Sequence, residues 1–257
     1  MPSMMGRETY SGKITTAREA QIMCVLGNRI CAMDEIVDAF GHVTVRNPEN
    51  PDTFFISWAT SPEFVTIDDL QLCDFEGNIQ NQDPRPAYGE RILHARIYKA
   101  RPDINAVCHG HPDSLMHFIC SDIPYTPVGN GAALFPDGVP LLTEWDPESG
   151  RGISTVSAGD SLANTLAHRR AVLIDGHGIV AVEDCVEKLV VVCSTLKSTA
   201  ELLSRMLQIG ATPQSVDPEA LKLTAMTTLG AVGVNRAWNY KLRKVKEKFP
   251  DLMSLQL

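Results

Sequence analysis

From position 16 to 40 apolar side chains return every three or four residues (Ile22, Val25, Leu26, Ile30, Met33, Ile36, Val37), which predicts an amphipathic helix that Gly41 stops. Short β-like runs follow at 42–45, 53–57 and 70–75, separated by Asn/Pro-rich and Glu-Gly-Asn turns, the pattern of an antiparallel meander. Helical spacing returns over 89–100 (Ile92, Leu93, Ile97) and ends before Pro102. The apolar run 104–108 reads as a buried strand entering His109-Gly110-His111, and Pro112 opens a helix over 113–119. Positions 120–157 are rich in glycine and proline; a connection this long predicts a functional lid. A helix over 157–168, two apolar strands at 171–175 and 178–182, and helices at 183–209, 217–226 and 234–249 complete the pattern. Helices flanking a sheet make an α/β layered fold.

Composition narrows the picture. A chain of 257 residues with 44% hydrophobic and 21% charged residues can bury one sizeable core, so a single domain over 1–257 is expected. The net charge of -8 argues against a nucleic-acid surface, and the basic stretch 243–248 reads as a solvated helix face. No apolar run is long enough to span a bilayer and positions 1–16 lack an apolar signal region, so a cytoplasmic protein without a membrane partner is expected. The seven cysteines are scattered, with no Cys-x-x-Cys pair, and read as reduced thiols.

Candidate chemistry gathers on histidine. Residues two apart in a strand face the same way, about 6.6 Å apart along the backbone, so His109 and His111 can converge on one ion. His177, between Gly176 and Gly178 at a turn between two predicted strands, completes a three-nitrogen set suited to one divalent cation: zinc, manganese or ferrous iron.

The run from Arg101 through Pro102, Asp103 and Ile104 to His109 and His111, with Glu90 nineteen residues before the first histidine and His177 in the Gly-His-Gly turn, resembles the class II aldolase/adducin family over about 16–209. The resemblance implies a three-layer α/β/α fold around a mixed, largely antiparallel sheet, and a homotetramer with sites near subunit boundaries. It also implies His109, His111 and His177 as metal ligands, and Glu90 as acid/base residue and fourth ligand.

Sugar-phosphate aldolases of that family hold phosphate on a Thr-Gly turn and a Ser-Ser pair before the glutamate. This chain has Ser57-Trp58-Ala59-Thr60-Ser61 and Tyr88-Gly89 in those places. The segment 36–46 is similar to a branch of decarboxylases of hydroxylated aromatic or pyridine dicarboxylates, with His42 where the aldolases carry asparagine. The expected function is therefore metal-dependent decarboxylation of a hydroxylated aromatic or heteroaromatic acid. Glu90 or His42 would protonate the ring carbon, Arg46 would pair with a substrate carboxylate, Tyr88 would wall the ring and His94 would orient Glu90; His117 and His168 read as structural or surface residues. The competing expectations are an aldolase for a non-phosphorylated hydroxy-keto acid, a non-haem iron oxygenase, and a non-enzymatic adducin-like assembly module.

Overall fold

A computed structural model describes residues 13–214 and 216–255; the remainder of the expected 1–257 domain lies outside the described residues. Thr16 caps the first helix, α1 (Ala17–Met33), with a capping box in which its hydroxyl accepts from Glu19 N and the Glu19 carboxylate accepts from Thr16 N. The helix ends at Met33 and does not run on to Phe40. Glu35 adopts a positive φ of 55°, and the amides of Ile36 and Val37 turn back on to the Cys31 carbonyl. The apolar pair Ile36–Val37 that extended the periodicity is instead buried in a turn over the sheet.

Seven strands follow: β1 (His42–Arg46), β2 (Thr53–Ser57), β3 (Leu70–Asp74), β4 (Ala106–Gly110), β5 (Leu141–Leu142), β6 (Ala171–Ile174) and β7 (Gly178–Glu183). They form one sheet in the order β3-β2-β1-β4-β7-β6-β5, antiparallel throughout except for the parallel pair β5–β6. The expected mixed, largely antiparallel sheet is thus present.

Between the strands run α2 (Arg91–Ala100), α3 (Asp113–Ile119) and α4 (Val156–Leu166); after β7 come α5 (Val186–Gln208), α6 (Pro218–Thr228) and α7 (Ala231–Lys248). Strand alternation divides the core into two layers. Val43, Val45, Cys108, Ile179 and Ala181 pack in one apolar cluster with residues of α1, α5 and α7, whereas Phe54, Ile56, Val107, Val180 and Val182 pack in the other with α2 and α4. The sheet is covered on both faces, giving the α/β/α layering.

The 120–157 connection is not a lid along its whole length. Tyr125, Val128, Leu134 and Phe135 are buried in the core, and the Tyr125 hydroxyl donates to Leu196 O of α5 at 3.2 Å. Its final stretch reaches the histidines. Among the described residues no helix is long and apolar enough to cross a membrane.

Candidate metal centre

Two periodicities meet at the site. In β1 and β4 the residues facing α2 alternate: His42 and Thr44 on one strand, Val107 and His109 on the other, with His42 opposite His109 and Thr44 opposite Val107. Helix α2 presents His94 and Tyr98 to that face, with Glu90 at its N-cap. Four helical residues rise about 6.0 Å and two strand residues about 6.6–6.8 Å. A stripe at i, i+4, i+8 therefore stays in register with strand residues two apart. Glu90 faces His109, His94 faces His42 and Thr44, and Tyr98 faces Thr44.

His109 at the end of β4, His111 just beyond it and His177 between β6 and β7 bring one ligand atom each within 4.8 Å of one another. Close backbone approach makes this possible: a Cβ on Gly110 would lie 2.2 Å from Ile36 O, and one on Gly178 would lie 2.6 Å from both Gly110 O and His111 Cδ2. Each imidazole is committed on its far side. His109 Nδ1 lies 2.9 Å from Ile179 O, His177 Nδ1 2.7 Å from Arg151 O, and His111 Nδ1 3.0 Å from Asp38 Oδ1. A carbonyl can only accept, so the Nδ1 atoms of His109 and His177 carry the hydrogen and their Nε2 atoms keep a lone pair; the Asp38 carboxylate fixes His111 in the same way. Burial works against the charge of Asp38, but the hydrogen bonds from His111 and the amides of Phe40 and Gly41 outweigh it and hold the carboxyl below its usual range. His109 Nε2 is buried without a hydrogen-bond partner. An orphaned lone pair with two more beside it fits a divalent cation held by His109, His111 and His177.

Glu90 stands against this group, Oε2 3.2 Å from His109 Nε2 and Oε1 3.3 Å from His177 Nε2, while Ile153 N donates to Oε1 at 3.2 Å. Burial favours its neutral form, yet His109 first, then His177 and His42, outweigh that effect and hold the carboxyl well below the usual carboxylate range. Glu90 is therefore a carboxylate within reach of the ion position. His42 lies between Tyr88 and His109, with ring centroids 4.5 Å and 5.3 Å away. Burial, reinforced by His109 and opposed by Glu90, drives its pKa down to about 3 and keeps the ring neutral.

Two expected placements change. Arg46 is at the far end of β1 from His42, away from the histidine group. Its guanidinium donates to the carbonyls of Ile104 (2.9 Å), Pro51 (2.6 Å), Tyr98 (2.9 Å) and Arg101 (3.0 Å), so four of its five N–H donors tie the backbone together. His94 does not touch Glu90; its two nitrogens meet Thr44 Oγ1 at 2.8 Å and His42 Nδ1 at 2.7 Å. Tyr88 does flank the site against His42, with its hydroxyl donating to Thr60 O. His117 bonds Ser204 and His168 bonds Asp137, both outside the histidine group. Sequence reasoning missed Asp38, Thr44 and Tyr98, and the backbone groups of Arg151, Ile153 and Ile179. Asp38 carries a faint signal, a carboxylate just ahead of the predicted strand; a backbone carbonyl carries none.

The model of the class II aldolase and adducin N-terminal domain matches residues 22–204. The chain belongs to that family. Among its relatives is the decarboxylase tropJ of Talaromyces stipitatus, 26% identical over 173 residues, covering 62% of this chain and 65% of the relative. A 3,4-dihydroxyphthalate decarboxylase of Arthrobacter keyseri is 24% identical over 245 residues, covering 89% and 94%. In fold the chain is similar to the L-fuculose 1-phosphate aldolase of Glaciozyma antarctica, with a TM-score of 0.77, 19% identity and 91% of each chain covered. Fold and family are those of carbon–carbon lyases.

Within this class II aldolase-family site the 57–61 turn offers little to a phosphate. Ala59 N donates to Pro86 O at 2.8 Å, Thr60 N to Trp58 O, and Thr60 O accepts from Tyr88. The amides that would cradle an anion are already used. A cleft of about 680 Å³ opens beside His111 and Asp38, bordered by Ser61, Ser114 and His117.

Proposed function

We propose that the chain is a metal-dependent decarboxylase of a hydroxylated aromatic or heteroaromatic carboxylic acid. The observation that carries this reading is the convergence of three imidazoles, each with Nδ1 committed to an oxygen, on a point beside the Glu90 carboxylate. Two further findings favour carboxyl release over cleavage of a sugar phosphate: the relatives named decarboxylases, and a turn whose amides are spent internally.

His109, His111 and His177 hold one divalent ion, zinc, manganese or ferrous iron, with Glu90 in reach as a fourth ligand. When bound, that ion is a Lewis acid that draws electron density from substrate oxygens. Glu90, ionised, accepts the proton of the substrate hydroxyl. As carbon dioxide leaves, the electron pair of the broken bond remains with the ring, and Glu90 returns the proton to the vacated carbon. The hydroxyl oxygen is reprotonated from water, so the net change is loss of carbon dioxide and uptake of one proton. His42 lies against His109 and Tyr88, whose ring would form an aromatic wall. A homotetramer in the cytoplasm is part of this proposal.

The test is a screen of hydroxylated aromatic mono- and dicarboxylic acids with metal-loaded protein. Stoichiometric carbon dioxide with a protonated ring product is expected. Aldehyde release from a hydroxy-keto acid without carbon dioxide would move the protein to the aldolases, and dioxygen consumption with ferrous iron would make it an oxygenase.

A further inference from the structure

Behind His42 lies a file of side chains that no step above uses. Tyr98 OH is 2.9 Å from Thr44 Oγ1, Thr44 Oγ1 is 2.8 Å from His94 Nδ1, and His94 Nε2 is 2.7 Å from His42 Nδ1. All four residues are buried to within 1% exposure, so a polar hydrogen of the file that finds no protein acceptor has no solvent to turn to. At its near end His42 Nε2 has no partner.

Hydrogen counting orients the file. If His42 Nδ1 donated to His94, then His94 Nδ1 would donate to Thr44 and Thr44 to Tyr98, leaving the buried Tyr98 hydroxyl hydrogen with no acceptor. In the opposite sense Tyr98 donates to Thr44, Thr44 to His94 Nδ1, and His94 Nε2–H to His42 Nδ1. Every internal hydrogen is then satisfied, and the proton of His42 rests on Nε2. Either sense leaves one buried hydrogen over, Tyr98 O–H at the closed end of the file or His42 Nε2–H at the end beside His109, and only the second lies where a bound substrate oxygen can accept it.

We infer that Tyr98, Thr44 and His94 are positioning residues that hold His42 as its Nε2–H tautomer, presenting a neutral N–H donor, not a lone pair, to the substrate space beside His109. Two consequences follow. His42 Nε2 does not ligate the metal, although the ring lies against His109, which does. Nor does His42 serve as the base; its N–H is placed to donate to an oxygen of the substrate on which charge develops, while Glu90 handles the proton that moves. The functional consequence rests on the proposed decarboxylation, whereas the tautomer does not.

Histidine-selective ¹⁵N NMR of the zinc-loaded protein without substrate tests the tautomer. The expected spectrum shows His42 with protonated Nε2 and unprotonated Nδ1, and Thr44→Val shifts it toward the Nδ1–H form. A wild-type His42 protonated on Nδ1, or coordinated through Nε2, overturns the inference, as does an unchanged tautomer in Thr44→Val. Should Thr44→Val fail to fold, Tyr98→Phe removes only the terminal donor, and a smaller shift in the same direction is expected. On an acid that the wild type decarboxylates, Thr44→Val lowers kcat about 10–100-fold with KM and metal content within about twofold of wild type. If no acid is turned over, the proposed reaction fails while the spectrum still decides the tautomer.

Discussion

His109 is the fully buried member of the three candidate ligands, and its Nε2 has no hydrogen-bond partner. Replacing it by Ala should reduce bound metal, measured by elemental analysis of the purified protein, from about one ion per chain to near zero; full occupancy in His109→Ala would remove the metal site from the account. Asp38→Asn keeps the shape but weakens the acceptor behind His111, and metal affinity should fall about 10–100-fold in a competition titration. Glu90→Gln separates proton transfer from ligation. Turnover should drop about 10²–10⁴-fold while metal is retained, and near-normal turnover would exclude Glu90 from the chemistry. The histidines and Glu90 are legible in the sequence because they are chemically distinctive side chains at telling spacings. What fixes their tautomers is mostly backbone oxygen, Ile179 O and Arg151 O, which every residue carries and no sequence pattern marks.

Secondary-structure elements explain why one arginine and one histidine change roles. Arg46 lies four residues from His42 on the same face of β1, about 13 Å along the strand, beyond reach of the metal group. There it caps four carbonyls of the α2–β4 connection and of the turn at Pro51. Arg46→Met should destabilise the fold by about 3 kcal/mol or more, seen as a lower denaturant midpoint, because carbonyls bonded to a charged donor are left buried. KM should stay unchanged; a raised KM at unchanged stability would restore Arg46 to the substrate. The spacing of Glu90 and His94 suggested mutual contact, since residues four apart are neighbours on a helix. The sheet outcompetes that pairing: β1 lies against α2, and His94 finds Thr44 and His42 there. Helix–strand registration is a property of the packed pair, absent from either pattern alone.

Across the whole molecule, the centre ties together the ends of β4, β7 and α2 and the 151–153 stretch of the long connection. Removing metal with a chelator should lower Tm, since a ligand at about 100 times its Kd adds about 2.7 kcal/mol to stability. An unshifted Tm would mean that the native chain holds no ion for the chelator to remove. Six of the seven cysteines are buried and Cys120 is exposed. Burial drives the thiols of Cys24 and Cys73 up to about 12, so a thiolate-directed reagent should label one cysteine per native chain and seven after unfolding.

By itself the sequence determined most of the elements and the candidate ligand set. Strands β1, β2 and β3, helix α3 and the later helices lie where periodicity and turn residues put them, because period two and period three to four are local consequences of backbone geometry. The His-x-His pair declares its shared direction for the same reason. Tertiary structure alone decided which face of the sheet meets α2, that Ile36 and Val37 leave the helix to cover Gly110, that Arg46 bonds backbone carbonyls, and that Tyr125, Val128, Leu134 and Phe135 of the 120–157 connection join the core. These outcomes depend on which surfaces bury one another and which polar groups must then be satisfied, and both are settled by residues far apart in the chain.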